Sequence, residues 1–317
     1  MATVEILHPG LLSLLQDSGR FGQHQIGLTS GGPLDPEAFY WANRLCDNDA
    51  ATTIEASIGG LKLRVDAPIR VAVTGGEMPV TINGTSAPRW QTLRLQAGDT
   101  LELGYSKLGS RCYVAFAGGL QVEPQFGSTA TVVREGIGGL RGTALQKGDT
   151  IPAVVDDGGP CLRLPPAKRP HYTHRATLRV VTGYQQDHFS REQQQRFFRS
   201  TYDVSERCDR MGYRLLGPPV HSALDGILSE GICLGAVQIP PDGQPIVLLN
   251  DRQTIGGYPK IGSVLSLDLA RLAQLMPGDQ VNFAEIDMEL AQRILHLYYN
   301  MRRTIALDLI APDFIVE

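Results

Sequence analysis

The chain of 317 residues has five cysteines, Cys46, Cys112, Cys161, Cys208 and Cys233, scattered and with no C-x-x-C pair. That pattern excludes a disulfide framework and a cysteine zinc site, and it suits reduced thiols in a cytoplasm. There is no Gly-Lys pair, hence no Walker-type phosphate loop, and neither a G-x-S-x-G elbow nor an H-E-x-x-H motif occurs. The seven histidines are dispersed, and His171 and His174 fall in a proline-rich stretch where a chance spacing outweighs a metal site. Dense basic runs are also missing, and the net charge is −4, which argues against nucleic acid and anionic membranes as partners. No apolar run approaches the roughly 20 residues of a helical membrane span. The first ten residues lack the basic and apolar regions of a secretory signal. Aromatic residues make up only 7%, whereas 35 glycines and 20 prolines are present, which favours many turns and short strands.

What is present follows that expectation. Val4 to Leu7 reads as a first strand, and Gln16-Asp17-Ser18-Gly19-Arg20-Phe21-Gly22 as a loop. Asp17 and Arg20 there are either an ion pair fixing a turn or a charge pair offered to a ligand. Asp35-Pro36-Glu37 predicts a helix to about Leu45, with Asp35 as N-cap and Pro36 in the first helical position. From Thr53 to Val155 short strands follow one another, and Leu61 to Val65 alternates with period two. Gly98-Asp99-Thr100, Gly148-Asp149-Thr150 and Pro277-Gly278-Asp279 each precede a predicted strand. Such spacing suggests a β-barrel or sandwich.

Asp156 to Pro170 concentrates proline, glycine and charge, and is the best domain boundary. The reading is a domain over 1–160, a linker over 161–175 and a second domain over 176–317 that ends in a helix. Ser190 to Gln193 is a capping box for a short helix. Arg210 and Arg214 would share a face if both lay on a strand. Asp287 to Arg303 is the clearest helix, with Leu290, Ile294, Leu297, Tyr298 and Met301 spaced near 3.6. The most site-like stretch is Val237 to Pro259. Its apolar run Ile246 to Leu249 empties into Asn250-Asp251-Arg252-Gln253-Thr254 and then Gly256-Gly257-Tyr258-Pro259. A rigid strand opening into amides, a carboxylate and a glycine pair can build a ligand site, or it is a polar hairpin with ordinary turn glycines.

These segments resemble a known family over nearly the whole length. The matching stretches are Gln16 to Gly22, Gly31 to Asp35, Ala117 to Gly119, Gly136 to Gly139, Arg210 to Leu215 and Gly243 to Pro259. They look like the family of the 5-oxoprolinase C-subunit, also called KipA-like or allophanate hydrolase subunit 2, which is related to the carboxyltransferase domain of urea carboxylase. Ile255 stands where a small polar residue is expected. The resemblance implies a mainly β fold of two cyclophilin-like β-barrel domains with a few short helices. It implies a cytoplasmic ATP- and Mg²⁺-dependent hydrolase that opens 5-oxo-L-proline to L-glutamate. Activity would require the 5-oxoprolinase B-subunit, a direct partner, together with the A-subunit. The nucleotide would sit mainly on or with the partner. No biotin-attachment sequence is present, so no biotin is expected on this chain.

A lactam with a carboxylate calls for amide donors and acceptors, a basic clamp and charge stabilisation. Within the family's motifs, Gln238, Gln244, Asn250, Gln253, Arg210 and Arg214 are candidates for substrate binding. Asp17, Arg20, Asp251 and Tyr258 are candidates for catalysis, and Asp17 or Asp251 for Mg²⁺. Two other classes compete: a carboxyltransferase component acting on urea or another small amide, and a non-catalytic regulatory protein that binds a partner.

Overall fold

The computed structural model describes residues 1–156 and 158–311. Asp157, inside the expected boundary, and residues 312–317, at the end of the expected second domain, lie outside the described chain. The chain divides into two compact units. The first comprises 1–21, 31–172 and 305–317, and the second 22–30 and 173–304. The stretch 161–175, expected as a linker, instead carries strand Cys161–Arg163 and a short 3-10 turn, Pro166–Lys168. Proline content alone suggests a linker there. Leu162 pairs with Leu309 in strand Asp308–Ile310, so a segment distant in sequence gives the stretch its strand partner.

The first unit is built from two antiparallel sheets. One has six strands, ordered Thr150–Ala153, Ala2–Pro9, Leu61–Val65, Thr100–Leu103, Val80–Ile82 and Thr85–Ala87. The other has five, ordered Leu12–Gln16, Thr53–Ser57, Arg111–Phe116, Ile69–Gly75 and Thr92–Leu95. Val4, Ile6, Leu63 and Leu101 of the first sheet share one core with Ile54, Val71, Val73 and Val114 of the second. The six-stranded sheet keeps the predicted alternation, with Leu61, Leu63 and Val65 buried and Arg64 exposed. The five-stranded sheet is covered on both faces. Its alternate residues Ala72, Tyr113 and Ala115 turn the other way, onto Ala38, Phe39, Trp41 and Leu45 of helix α1 (Pro36–Leu45). That explains why its central strands Arg111–Phe116 and Ile69–Gly75 are buried at every position. Helix α1 starts as read: Asp35 Oδ1 accepts from the Glu37 and Ala38 amides at 3.1 and 2.9 Å.

The second unit is a closed barrel. Its order is Arg175–Thr182, Lys260–Val264, Ala236–Gln238, Ile246–Leu248, Gly212–Leu216, Thr201–Cys208 and Gln280–Glu285. The ring closes because Arg175–Thr182 runs parallel to Gln280–Glu285. Helix α2 (Arg191–Arg199) is capped by Ser190 and lays Phe197 on Phe283, with ring centroids 4.2 Å apart. Helix α3 (Ser266–Gln274) follows the strand Lys260–Val264, and helix α4 (Met288–Thr304) matches its expected span.

The three Gly-Asp strand entries share one geometry across both units. In each, the aspartate accepts from the amide three residues before it: Gln96 at 2.7 Å, Gln146 at 2.8 Å and Met276 at 2.9 Å. The preceding Gly98, Gly148 and Gly278 have φ of 91°, 87° and 91°, a region that glycine enters without strain. Local turn chemistry, and not a repeated domain, accounts for the recurrence. No disulfide joins any of the five cysteines. Among the described residues, no helix is long and apolar enough to cross a membrane.

Candidate functional site

The residues singled out from the sequence fall into both units. Asp17 and Arg20 belong to the first. Both reach the same distant segment. Asp17 accepts from Gly19 N at 2.9 Å, Ser128 Oγ at 2.5 Å and Thr129 N at 2.7 Å. Arg20, fully buried, donates to the carbonyls of Gln125 at 3.1 Å, Ser128 at 3.3 Å and Ala130 at 2.9 Å. The G-I-G-G stretch joins the same knot, since Gly138 N donates to Gln125 Oε1 and Gly139 N to Thr129 O. These contacts are the work of a clamp that fixes loops 16–22 and 125–139 to one another.

The remaining candidates lie in the second unit, and several of them are held by the scaffold. Arg210 sits in the turn before its strand and not on it. Its guanidinium grips Asp251 bidentately, Nε to Oδ2 and Nη2 to Oδ1, both at 2.9 Å, with both side chains 7% exposed. Arg214, on the strand, donates instead to Asp242 at 2.7 Å, so the two arginines do not share a face. Gln244 exchanges hydrogen bonds with the Gly217 backbone at 2.8 and 3.1 Å. Arg252, which no sequence signal marks, is buried and donates to Ile232 O at 3.1 Å and Leu249 O at 3.3 Å; burial lowers its pKa.

Polar though it is, the loop over 250–259 is thereby fixed at close intervals. Asp251 N donates to Arg210 O, Ile232 N to Thr254 O, Ile227 N to Gly257 O and Ile239 N to Pro259 O. Ile255 and Gly256 pair with Gly231 and Glu230 as a short two-stranded ribbon. Asn250 and Gln253 are half-buried on this loop, and Tyr258 is 41% exposed.

One end of the barrel gathers the other polar groups. Gln238 closes strand Ala236–Gln238 and stands opposite Lys260, which opens the neighbouring strand. Directly opposed residues of an antiparallel pair share a face. Tyr184 and Gln185 follow strand Arg175–Thr182 at the same end. Gln185 donates to Glu230 Oε1 at 2.8 Å and accepts from Lys260 N at 2.8 Å. Glu230 also takes short hydrogen bonds from Lys260 Nζ and the Tyr184 hydroxyl. Those two donors, the ammonium first, hold the Glu230 carboxyl below the usual carboxylate range. The hydrogen bond to Glu230 in turn raises the Tyr184 phenol. Glu230 is thereby held in its charged form beside Lys260, an arrangement suited to binding charge.

Next to Lys260 and Glu230, Gln238 is 2% exposed and its Nε2 has no hydrogen-bond partner among the described residues. A buried amide donor left without an acceptor costs about 1–3 kcal/mol. Gly256 passes directly over it: a Cβ there would lie 2.8 Å from Gln238 Nε2 and would collide with Ile232. Glycine lets the backbone pass this close to the buried donor without a clash. Gln238 Nε2, Lys260, Glu230 and Gln185 thus bring together the donor and acceptor types that a small, planar, polar ligand calls for. Glu230, Lys260, Tyr184 and Gln185 are not legible in the sequence because their partners lie 30 or more residues away, with no local spacing to mark them.

For Mg²⁺ the fit is poor. Both carboxylates expected as Mg²⁺ ligands, Asp17 and Asp251, spend their oxygens on protein donors. Among the described residues no group of three His, Cys, Asp or Glu side chains is arranged to hold a metal.

Comparison with known proteins places this architecture. Residues 26–285 match the carboxyltransferase domain family, subdomain A and B. The chain is 35% identical to the 5-oxoprolinase C-subunit of Escherichia coli (strain K12) over 90% of its own length and 92% of that protein. It is 31% identical to the 5-oxoprolinase C-subunit of Haemophilus influenzae, covering 92% of this chain and 94% of that protein. The crystal structure of Kluyveromyces lactis urea carboxylase superposes with a TM-score of 0.89 at 25% identity, over 96% of this chain and 29% of that larger one. With both sequence and architecture in agreement, the chain belongs to the family of the 5-oxoprolinase C-subunit, built on a carboxyltransferase domain of subdomains A and B.

Proposed function

We propose that this chain is the component of a 5-oxoprolinase that cradles the substrate during ATP-dependent opening of 5-oxo-L-proline to L-glutamate. The names of its relatives support a role in such a complex. The observation that carries the reading is the orphaned Gln238 Nε2, a buried donor awaiting a carbonyl-type acceptor. In this reading Gln238 donates to the lactam oxygen, where charge builds up as the ring amide is activated. Lys260, with donors to spare beyond its bond to Glu230, takes the substrate carboxylate. Gln185 and Glu230 fix the direction of the ammonium, and Tyr258 stays exposed on the loop over 250–259. Asp251, Arg210, Arg214 and Gln244 hold the loop, and Asn250 and Gln253 line it. Asp17 and Arg20 are assigned the same positioning role in the first unit. The residues present do not fit Mg²⁺, and ATP with Mg²⁺ is assigned to the partner proteins, the A- and B-subunits.

The direct test is glutamate formation from 5-oxoproline, followed by NMR. This chain, the A- and B-subunits, ATP and Mg²⁺ are present together, and each protein is then omitted in turn. Turnover only in the complete mixture is expected. A stable complex with no glutamate formed would overturn the proposal. The likeness to urea carboxylase favours a second reading, carboxyl transfer to urea. Bicarbonate-dependent ATP turnover with urea and a biotinylated carrier, absent with 5-oxoproline, would select it.

A further inference from the structure

Helix α4 is 17 residues long, and Ala291 is its buried residue. Ile294 and Leu295 pack partly against Leu265 and Ile286. Leu290, Leu297 and Met301 remain 43%, 62% and 64% exposed. Through Ile294 these three complete a seam with steps of four, three and four residues, the spacing by which one helix docks on another. A single exposed leucine needs no explanation, whereas an unbroken seam along a helix does.

Two observations say what covers it. The seam is its own complement when turned end for end. Leu290 then faces Met301, and Ile294 faces Leu297, about an axis between residues 295 and 296. The terminal charges follow the same symmetry, and Glu289 also pairs with Arg293 of its own helix at 3.2 Å. Asp287 and Glu289 stand at the N-terminal end, and Arg302 and Arg303 at the C-terminal end. An antiparallel copy brings Glu289 beside Arg302 and Arg303 of the other helix and opposes the two helix dipoles. A two-fold interface uses the same patch on both members and needs this self-match. We propose that α4 is a self-association surface, occupied by the α4 of a second copy of this chain. The helix is about 25 Å long at 1.5 Å per residue. One such pair buries less than the roughly 800 Å² per partner of a standard interface, so association in the roughly micromolar range is expected.

Sedimentation velocity on the purified chain, from about 1 to 100 µM, reads this out. The wild-type chain is expected to pass from monomer to dimer. Leu297→Glu, at a site already exposed, should remain monomeric with an unchanged thermal melt. Glu289→Arg should weaken the dimer, and Arg303→Glu in the same chain should restore it. A wild-type chain that is monomeric throughout overturns the proposal, as does a dimer that Leu297→Glu leaves intact. If the chain is monomeric and Leu297→Glu instead abolishes its complex with the B-subunit, the proposal is overturned and the face belongs to that partner. The proposal is independent of the oxoproline reading, which concerns the barrel end.

Discussion

Asp251→Ala is expected to unfold the second unit more readily, before any question of chemistry arises. The carboxylate lies in a buried bidentate pair with Arg210, two hydrogen bonds of 2.9 Å with both side chains 7% exposed. Deleting one member leaves the guanidinium buried without its counter-charge. Breaking such a pair costs about 3–5 kcal/mol. For a unit of this size the thermal midpoint should fall by roughly 10 °C. Replacing both members with apolar residues, Asp251→Leu with Arg210→Met, should recover most of that loss, because no charge is then stranded. Calorimetry on the single and double variants tests this. A single variant that melts like wild type yet is inactive in the complex would show Asp251 to be a catalytic group, contrary to the positioning role assigned here.

Lys260→Met is the second large effect, and it falls on activity. The ammonium is 12% exposed and bonded to Glu230, so it is pre-aimed at the cradle. A hydrogen bond to a charged group is worth about 1.5–3 kcal/mol, so kcat/KM for 5-oxoproline should drop by roughly 10- to 100-fold. The amide of the substrate, 5-oxoprolinamide, lacks the carboxylate. Its already poor turnover should change little in the same variant. Equal losses on both substrates would contradict the clamp and point to a structural role for Lys260. Glu230→Gln supplies the control, since it frees the ammonium without removing it.

The sequence and the structure agree most closely where the signal is local. Asp35 and Pro36 announce α1, Ser190 announces α2, and Leu61 to Val65 alternate as a strand with one face in a core. The Gly-Asp entries are legible for the same reason, because each aspartate bonds three residues back along its own chain. Motif resemblance locates the loop after Leu249 and the family. Neither route apportions roles within it. Asp251 is a candidate for catalysis or Mg²⁺ in the sequence, which gives no sign that Arg210, 41 residues away, holds its carboxylate. Asp17 and Arg20 look like a charge pair until both are found bonded to a segment more than a hundred residues distant. Conversely Gln185, Glu230 and Lys260 carry no spacing signal, and the pairing of strands 175–182 and 260–264, with the ribbon that carries Glu230, brings them to one end. Proline in 161–175 argues for a linker, and a strand partner in 308–310, far beyond any local window, argues otherwise.

The most direct test of the central claim is Gln238→Leu in the assembled complex, with stability and kcat/KM for 5-oxoproline measured on the same preparation. An apolar group of similar size relieves a buried donor that has no partner, so the chain should melt at the same temperature or higher. If that donor is reserved for the lactam oxygen, kcat/KM should fall by about tenfold or more. Full activity with unchanged melting would remove Gln238 from the site, and with it the reading of this barrel end as the substrate cradle.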